Sequence, residues 1–386
     1  MPVINRVADI ADEVTSWRRD IHAHPELLFD VHRTAGVVAD RLRAFGCDEV
    51  VTGIGKTGVV GVIRGRRGEG GRTVGLRADM DALPIVEATD KPYRSTVPGL
   101  MHACGHDGHT AMLLGAAKYL AETRNFAGNA VVIFQPAEEG GGGGDAMVKD
   151  GLMTRFGVDE VYGMHNWPGM PVGHFGIRPG PVMAAADRFT ITVEGKGGHA
   201  AHPHQCVDTL LAAAQIVVAL QQVVARNVDP LKSAVLSTCS FKSGETFNVI
   251  PQTATLLGTV RTLDPAVQDH IEARITEVAT GVAQAYGAVA TVDYARGYPV
   301  TANHPDQTEF MADVARQVGA GVNAELPPQM GSEDFSYMLL ERPGAYIFIG
   351  NGDSALCHHP AYDFDDGAIP FGVSLWAKIV EERLGA

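Results

Sequence analysis

Asn129-Ala130-Val131-Val132-Ile133-Phe134 runs straight into Gln135-Pro136-Ala137-Glu138-Glu139, and five glycines, Gly140 to Gly144, follow. The apolar, β-favouring segment reads as a buried strand, and the polar turn after it as the place where that strand ends. Working outward, Thr110 to Glu122 has helical character, and Thr73-Val74-Gly75-Leu76-Arg77 precedes it as another strand. Strand alternating with helix predicts an α/β fold, a mostly parallel mixed sheet flanked by helices. The segments ending at Asp79, Glu138 and His165, and Gly344-Ala345-Tyr346-Ile347-Phe348-Ile349, all pass from apolar strand to polar residues. In open α/β sheets ligands bind beyond the carboxyl ends of strands, so these groups are expected on one rim.

The middle of the chain has a different rhythm. An alternating strand, Arg188-Phe189-Thr190-Ile191-Thr192-Val193, leads to a helical run from Val207 to Ala225. Strand-like segments at Ala234 to Phe241 and Ala254 to Val260 follow, then a helix from Pro265 to Tyr286 and a strand at Ala288 to Tyr294. Strand, helix, two strands, helix, strand is the split βαβ, ferredoxin-like order. The expected organisation is one domain from residues 1–185 and 298–386, with an α+β domain inserted at 186–297. Gly53-Ile54-Gly55-Lys56-Thr57-Gly58 looks like a phosphate-binding loop, but its first glycine would fall at Val50 and an apolar strand follows. It reads as a hairpin or connecting turn.

A chain of 386 residues, 45% hydrophobic, can bury a large core and form more than one domain. Charges at Arg6, Asp9, Asp12, Glu13, Arg18, Arg19 and Asp20 break up the N-terminal apolar residues, which predicts an amphipathic helix rather than a signal peptide. No segment approaches the roughly 18 uninterrupted apolar residues of a membrane span. Cys47, Cys104, Cys206, Cys239 and Cys357 are odd in number and scattered, which suits a reducing cytoplasm better than a disulfide framework. The net charge of -14 argues against a nucleic-acid partner.

Four short motifs carry the chemistry: Met101-His102-Ala103-Cys104-Gly105-His106-Asp107, the Glu138-Glu139 turn, Gly163-Met164-His165-Asn166-Trp167 and Leu356-Cys357-His358-His359-Pro360. Thiolate, imidazole and carboxylate together are what a transition metal requires. Cys104 and His106 flank the start of a helix, whose N-terminus is expected to lower a thiol pKa and favour the thiolate. The same pair also admits a buried structural cysteine, or a cysteine nucleophile with a histidine base. In a glycine-rich turn, one of two neighbouring carboxylates can ligate a cation while the other takes a proton from water. His165 and His358 add neutral nitrogen donors, while His102, His109 and His359 read as bystanders.

With these motifs, Arg19-Asp20-Ile21-His22-Ala23-His24-Pro25-Glu26, Leu76-Arg77-Ala78-Asp79-Met80-Asp81-Ala82-Leu83-Pro84, Gly331-Ser332-Glu333-Asp334-Phe335 and Tyr362-Asp363-Phe364 carry a resemblance over nearly the whole chain. The chain resembles metal-dependent amidohydrolases of the aminoacylase and carboxypeptidase type, which include hippurate hydrolases, N-acyl-amino-acid amidohydrolases and auxin-conjugate hydrolases. The resemblance implies a zinc-exopeptidase-like catalytic domain binding two divalent metal ions, with Cys104, His106, Glu139, His165 and His358 as ligands and Cys104 bridging. Glu138 then corresponds to the general base and Asp81 to a carboxylate that orients a ligand. His358 is preferred to His359 because the family pattern puts the ligand two residues before the proline, here Pro360.

The resemblance also implies that the inserted domain is a ferredoxin-like dimerisation domain. In Gly197-Gly198-His199-Ala200-Ala201-His202-Pro203, His199 corresponds to a histidine carried into the partner's active site to stabilise the oxyanion. Asn248 and Arg261 match positions that hold the substrate's free carboxylate, for which a guanidinium fork is suited. The implied activity is hydrolysis of small-molecule N-acyl-L-amino acids, N-benzoyl or N-acetyl, by a cytoplasmic homodimer. Manganese, zinc, nickel and cobalt all suit a mixed sulfur, nitrogen and oxygen ligand set. A metallo-dipeptidase, a carboxypeptidase or an N-acetyl-diaminopimelate deacetylase would use the same chemistry. More remote alternatives are a cysteine hydrolase built on Cys104 and a non-catalytic binding protein, whose expected mark, loss of Glu138 or a ligand, is not found here.

Overall fold

A computed structural model describes residues 3–68 and 71–385. The chain divides into two compact units, one of Met1–Val182, Ala302–Pro327 and Asp334–Ala386, the other of Met183–Thr301 and Pro328–Glu333.

In the first unit, β1 (Glu49–Ile54), β2 (Gly58–Arg64), β3 (Thr73–Asp79), β4 (Asn129–Gln135), β5 (Glu160–Trp167), β6 (His174–Gly176), β7 (Gly321–Asn323) and β8 (Gly344–Gly350) form one sheet. Its order is β1-β2-β4-β3-β5-β8-β6-β7. The four central strands, β4, β3, β5 and β8, are mutually parallel, while β1, β2 and β6 bring antiparallel pairings toward the edges. Every residue of β3 and β8 is buried, as strands covered on both faces require, and in β3 that interior includes the Arg77–Asp79 ion pair. The parallel register sets Asp79 opposite Gln135 and His165 opposite Phe348, so the polar ends of these strands share one rim.

The N-terminal helix is Asn5–Ala23, and it buries Val7, Ile10, Val14, Trp17 and Ile21, the three-and-four spacing of an amphipathic helix. It packs with helices His106–Thr123 and Ile369–Arg383 through Val14, Trp17, Leu113, Leu114, Leu375 and Trp376. Gly115 makes this approach possible, since a Cβ there would lie 2.8 Å from Val373 and 3.0 Å from Val14. The Gly53–Gly58 segment is the tight β1–β2 hairpin connection, with Gly53, Gly55 and Lys56 at positive φ.

The second unit holds an antiparallel sheet of Ala185–Glu194, Ala234–Ser243, Thr253–Thr262 and Val289–Arg296. The spatial order is second, third, first, fourth, the ferredoxin-like arrangement. The first strand alternates between buried and less buried residues, and its buried Phe189, Ile191 and Val193 meet helices Thr209–Gln222 and Pro265–Ala285 through Ala212, Ala213, Ile216, Leu220, Ile271, Ile275 and Ala279. Among the described residues, one helical stretch, Thr209–Asn227, has the length and composition of a membrane span. The same helix supplies core residues to this unit, the ordinary behaviour of an apolar helix on a sheet.

Candidate metal centre

Four strand ends deliver the side chains. β3 closes on Asp79 and passes into Met80-Asp81, β4 passes into Pro136–Glu139, and β5 carries His165 and Asn166. The segment after β8 brings Cys357 and His358 back against the loop before helix His106–Thr123, where the His358 N–H donates to the Ala103 carbonyl at 2.7 Å. Gly105 caps that helix at φ +88°, and a Cβ on it would lie 2.3 Å from Asn166 Nδ2 and 2.4 Å from Tyr362 Oη. Conformation and space both demand glycine there.

Asp81 ties two of these segments together. Its carboxylate accepts the backbone N–H groups of Glu138 at 2.9 Å and Glu139 at 3.1 Å, and its carbonyl lies 2.8 Å from His106 Nδ1. With Nδ1 held by that carbonyl, Nε2 is the nitrogen left to face a cation. Ala137 and His358 both hold left-handed backbone, φ +54° and +67°. For residues other than glycine such conformations cost about 1–3 kcal/mol and persist only where the surroundings impose them. The Asp81 clamp supplies that constraint beside Ala137, and the hydrogen bond to Ala103 supplies it at His358.

The candidate ligand atoms converge. Those of Cys104, His106 and His165 lie within 4.8 Å of one another, as do those of Cys104, Glu139 and His358, and those of His106, Glu138 and Glu139. Cys104 Sγ is 3.4 Å from His165 Nε2, and His358 Nε2 is 3.2 Å from Glu139 Oε1. Burial, with His109 and His106 nearby, holds the His165 pKa well below its ordinary value. At His106 burial acts in the same direction, but Asp79, Asp81 and Glu139 outweigh it and carry the pKa up to about 10. Burial raises Asp81, whereas at Glu139 His358 and His106 overcome burial and lower it.

These features meet an independent finding: the pattern described as peptidase family M20/M25/M40 matches residues 75–382. The chain belongs to this family. It is 42% identical over 386 residues to the hippurate hydrolase of Campylobacter jejuni, covering 100% of both chains. It is 42% identical over 364 residues to the N-acetyl-L-cysteine deacetylase of Bacillus subtilis, covering 94% of this chain and 86% of the relative. A crystal structure from Bacillus subtilis, described as a dinuclear metal-binding peptidase from the M20 family, matches with a TM-score of 0.86 at 35% identity, covering 98% of this chain and 99% of that one. This M20 chain is therefore a hydrolase of amide bonds.

The residues of this M20 site fit divalent cations. His106 Nε2 is buried without a hydrogen-bond partner among the described residues, and it belongs to the groups above. Buried polar atoms are rarely left so, and a cation is the partner that imidazole and carboxylate lone pairs share.

One expectation needs correction. A helix N-terminus carries only about half a positive charge, and at Cys104 it does not prevail. A hydrogen bond with Cys357, then burial, Glu139 and Glu138 hold the Cys104 thiol well above its ordinary pKa, while that bond and His358 lower Cys357. A free nucleophilic thiolate, which a cysteine hydrolase would need, is thus opposed by the surroundings of Cys104. A cation is what would favour its thiolate.

In the second unit, Val249 of the strand Val249–Ile250 pairs with His199 of Gly198–His199, and the Ala200 N–H donates to the Asn248 carbonyl at 3.0 Å, so His199 and Asn248 are neighbours. His199 is exposed. Arg261 lies in another sheet, on Thr253–Thr262, where its Nη1 donates to Thr259 Oγ1 and to the Val260 carbonyl. Asp79, His109, Asn166 and Tyr362, for which the sequence suggested no ligand or catalytic role, form a hydrogen-bonded chain beside Cys104.

Proposed function

We propose that this chain hydrolyses N-acyl-L-amino acids to a carboxylic acid and a free amino acid, using two divalent cations held by Cys104, His106, Glu139, His165 and His358. The observation that carries the reading is the sharing of Cys104 between one donor group completed by His106 and His165 and another completed by Glu139 and His358. One shared sulfur between two groups suits a pair of cations better than a single one. When bound, the cations supply Lewis-acid polarisation of the amide carbonyl and a lowered pKa for the attacking water.

The chain's own groups do the rest. Glu138 is buried beside Glu139 on the turn that Asp81 anchors, so it acts as the general base, taking a proton from water and returning it to the departing amine nitrogen. Water adds across the C–N bond, the oxygen going to the acyl carbon and the proton to the nitrogen. The chain works as a cytoplasmic homodimer in which the partner subunit's His199 donates to the developing oxyanion. Asn248 and Arg261 hold the amino acid's carboxylate. The hippurate hydrolase and N-acetyl-L-cysteine deacetylase relatives support benzoyl and acetyl as the acyl groups.

The test is release of free amino acid from N-benzoyl, N-acetyl and longer N-acyl amino acids and from dipeptides, after chelation and then with manganese, zinc, nickel or cobalt restored singly. Metal-restored cleavage of N-acyl substrates is the expected result. Preference for dipeptides would turn the reading toward a peptidase, and folded protein inert with every metal would overturn it.

A further inference from the structure

His109 has no role in the reading above, yet both its ring nitrogens are engaged. Nδ1 lies 2.7 Å from Asp79 Oδ1, and Nε2 accepts the backbone N–H of Asn166 at 2.9 Å, with Asn166 Nδ2 at 3.1 Å. With Nε2 facing N–H donors, the ring carries its proton on Nδ1 and gives it to Asp79. Asp79 is itself fixed, because its other oxygen accepts from Arg77 Nη1 at 2.7 Å.

The far end of this chain reaches the candidate ligands. The Asn166 carbonyl lies 2.6 Å from His165 Nδ1, which leaves His165 Nε2 bare at 3.4 Å from Cys104 Sγ. Asn166 Nδ2 also donates to the Cys104 carbonyl at 2.6 Å, and its Oδ1 accepts the Tyr362 hydroxyl at 2.8 Å. The His109 and His165 rings are in edge contact, 4.6 Å between centroids. Asp79, His109 and Asn166 are all buried, so water cannot replace a lost partner cheaply.

We propose that His109 is a positioning residue, which passes the Asp79 anchor to Asn166 and so fixes the ring of His165 and the backbone of Cys104 toward the cations. The inference rests on the reading of Cys104 and His165 as ligands. Asp79, His106 and His109 also offer atoms close enough to hold a cation themselves. That alternative would break the hydrogen bonds that occupy both nitrogens of His109 and both oxygens of Asp79, so the arrangement is a scaffold and not a third metal site.

Two amide substitutions separate the two ends of the ring. His109→Gln places an amide where Nε2 was, so it can still accept from Asn166 but gives up Asp79. His109→Asn places one where Nδ1 was, so it keeps Asp79 and gives up Asn166. Metal-free wild type and both variants would be titrated with cobalt(II) against a chromophoric chelator, recording sulfur-to-cobalt absorption alongside circular dichroism. The expected result is ~10- to 100-fold weaker cobalt binding with an altered spectrum in His109→Asn, which releases Asn166, and a smaller loss in His109→Gln, which still meets Asn166 but without the Asp79 anchor. Wild-type binding by either variant, or His109→Gln weaker than His109→Asn, overturns the proposal. Wild type that takes up no cobalt would overturn the metal reading as well. Nitrogen-15 NMR of the wild-type ring gives a check that needs no variant: the Nδ1–H tautomer is expected, and a proton on Nε2 refutes the relay.

Discussion

The carboxylate of Asp81 accepts the Glu138 backbone N–H at 2.9 Å while its second oxygen takes the next residue's N–H at 3.1 Å. One buried side chain thereby fixes a turn that includes a left-handed alanine, Ala137. Asp81→Ala leaves two N–H donors without their acceptor, a loss of about 1–3 kcal/mol each when buried. Its melting temperature should fall, and its affinity for divalent metal should drop ~10- to 100-fold. Asp81→Asn keeps one acceptor oxygen and should lie between. Thermal melts with chelator competition check this, and wild-type behaviour in both variants would remove Asp81 as the anchor of the turn.

Neighbouring glutamates given different tasks should respond differently to the same change. Glu138→Gln keeps shape and removes the base, so metal content should match wild type while turnover falls by ~10²- to 10⁴-fold, the usual contribution of a general base. Glu139→Gln should instead lose metal. Elemental analysis of both purified variants, set beside their kcat values, distinguishes the roles. Metal loss in Glu138→Gln with retention in Glu139→Gln would exchange the assignments.

His22 predicts a pH dependence of stability. It is buried, with Nδ1 2.9 Å from Asp107 and Nε2 3.4 Å from Glu87. Burial opposes its charge, but Asp107 and Glu87 outweigh burial and raise its pKa from 6.5 to about 9. A histidine raised on folding adds stability that is complete below its unfolded pKa and is lost as pH rises through the folded one. The shift corresponds to about 3 kcal/mol at most. Asp107, held far below the usual carboxylate range, stays ionised throughout this window. Denaturant unfolding should therefore show the stability gap between wild type and His22→Gln widest near about pH 6 and shrinking toward about pH 10. A gap constant across that range would contradict the charged pair.

What the sequence shows and what it hides have physical reasons. Continuous apolar runs such as Val131 to Phe134 and Ala345 to Ile349 announce parallel strands because burial on both faces leaves no polar position. The alternation in Arg188 to Val193 announces a sheet covered on one face. His109 sat in plain view two residues beyond the motif around Cys104 and read as a bystander, because its role lies in the Asp79 carboxylate and the Asn166 backbone, partners that no local spacing reveals. Similarly, the helix start beside Cys104 suggested a thiolate. What decides the thiol is Cys357 and two carboxylates brought in from other strand ends, and these are visible only after folding.

The proposed sharing of His199 across a dimer can be tested by complementation. His199→Ala and Glu138→Gln should each be nearly inactive, since one lacks the oxyanion donor and the other the base. If each active site takes Glu138 from one subunit and His199 from the other, a mixed dimer gathers both defects into one site and leaves the second site intact. Random exchange of equal amounts makes about half the dimers mixed, each with one working site of two, so activity should recover to about a quarter of wild type. Exchange itself is verified by mass spectrometry of differently tagged subunits. Complete exchange without recovery would show that His199 acts within its own subunit or takes no part in the chemistry.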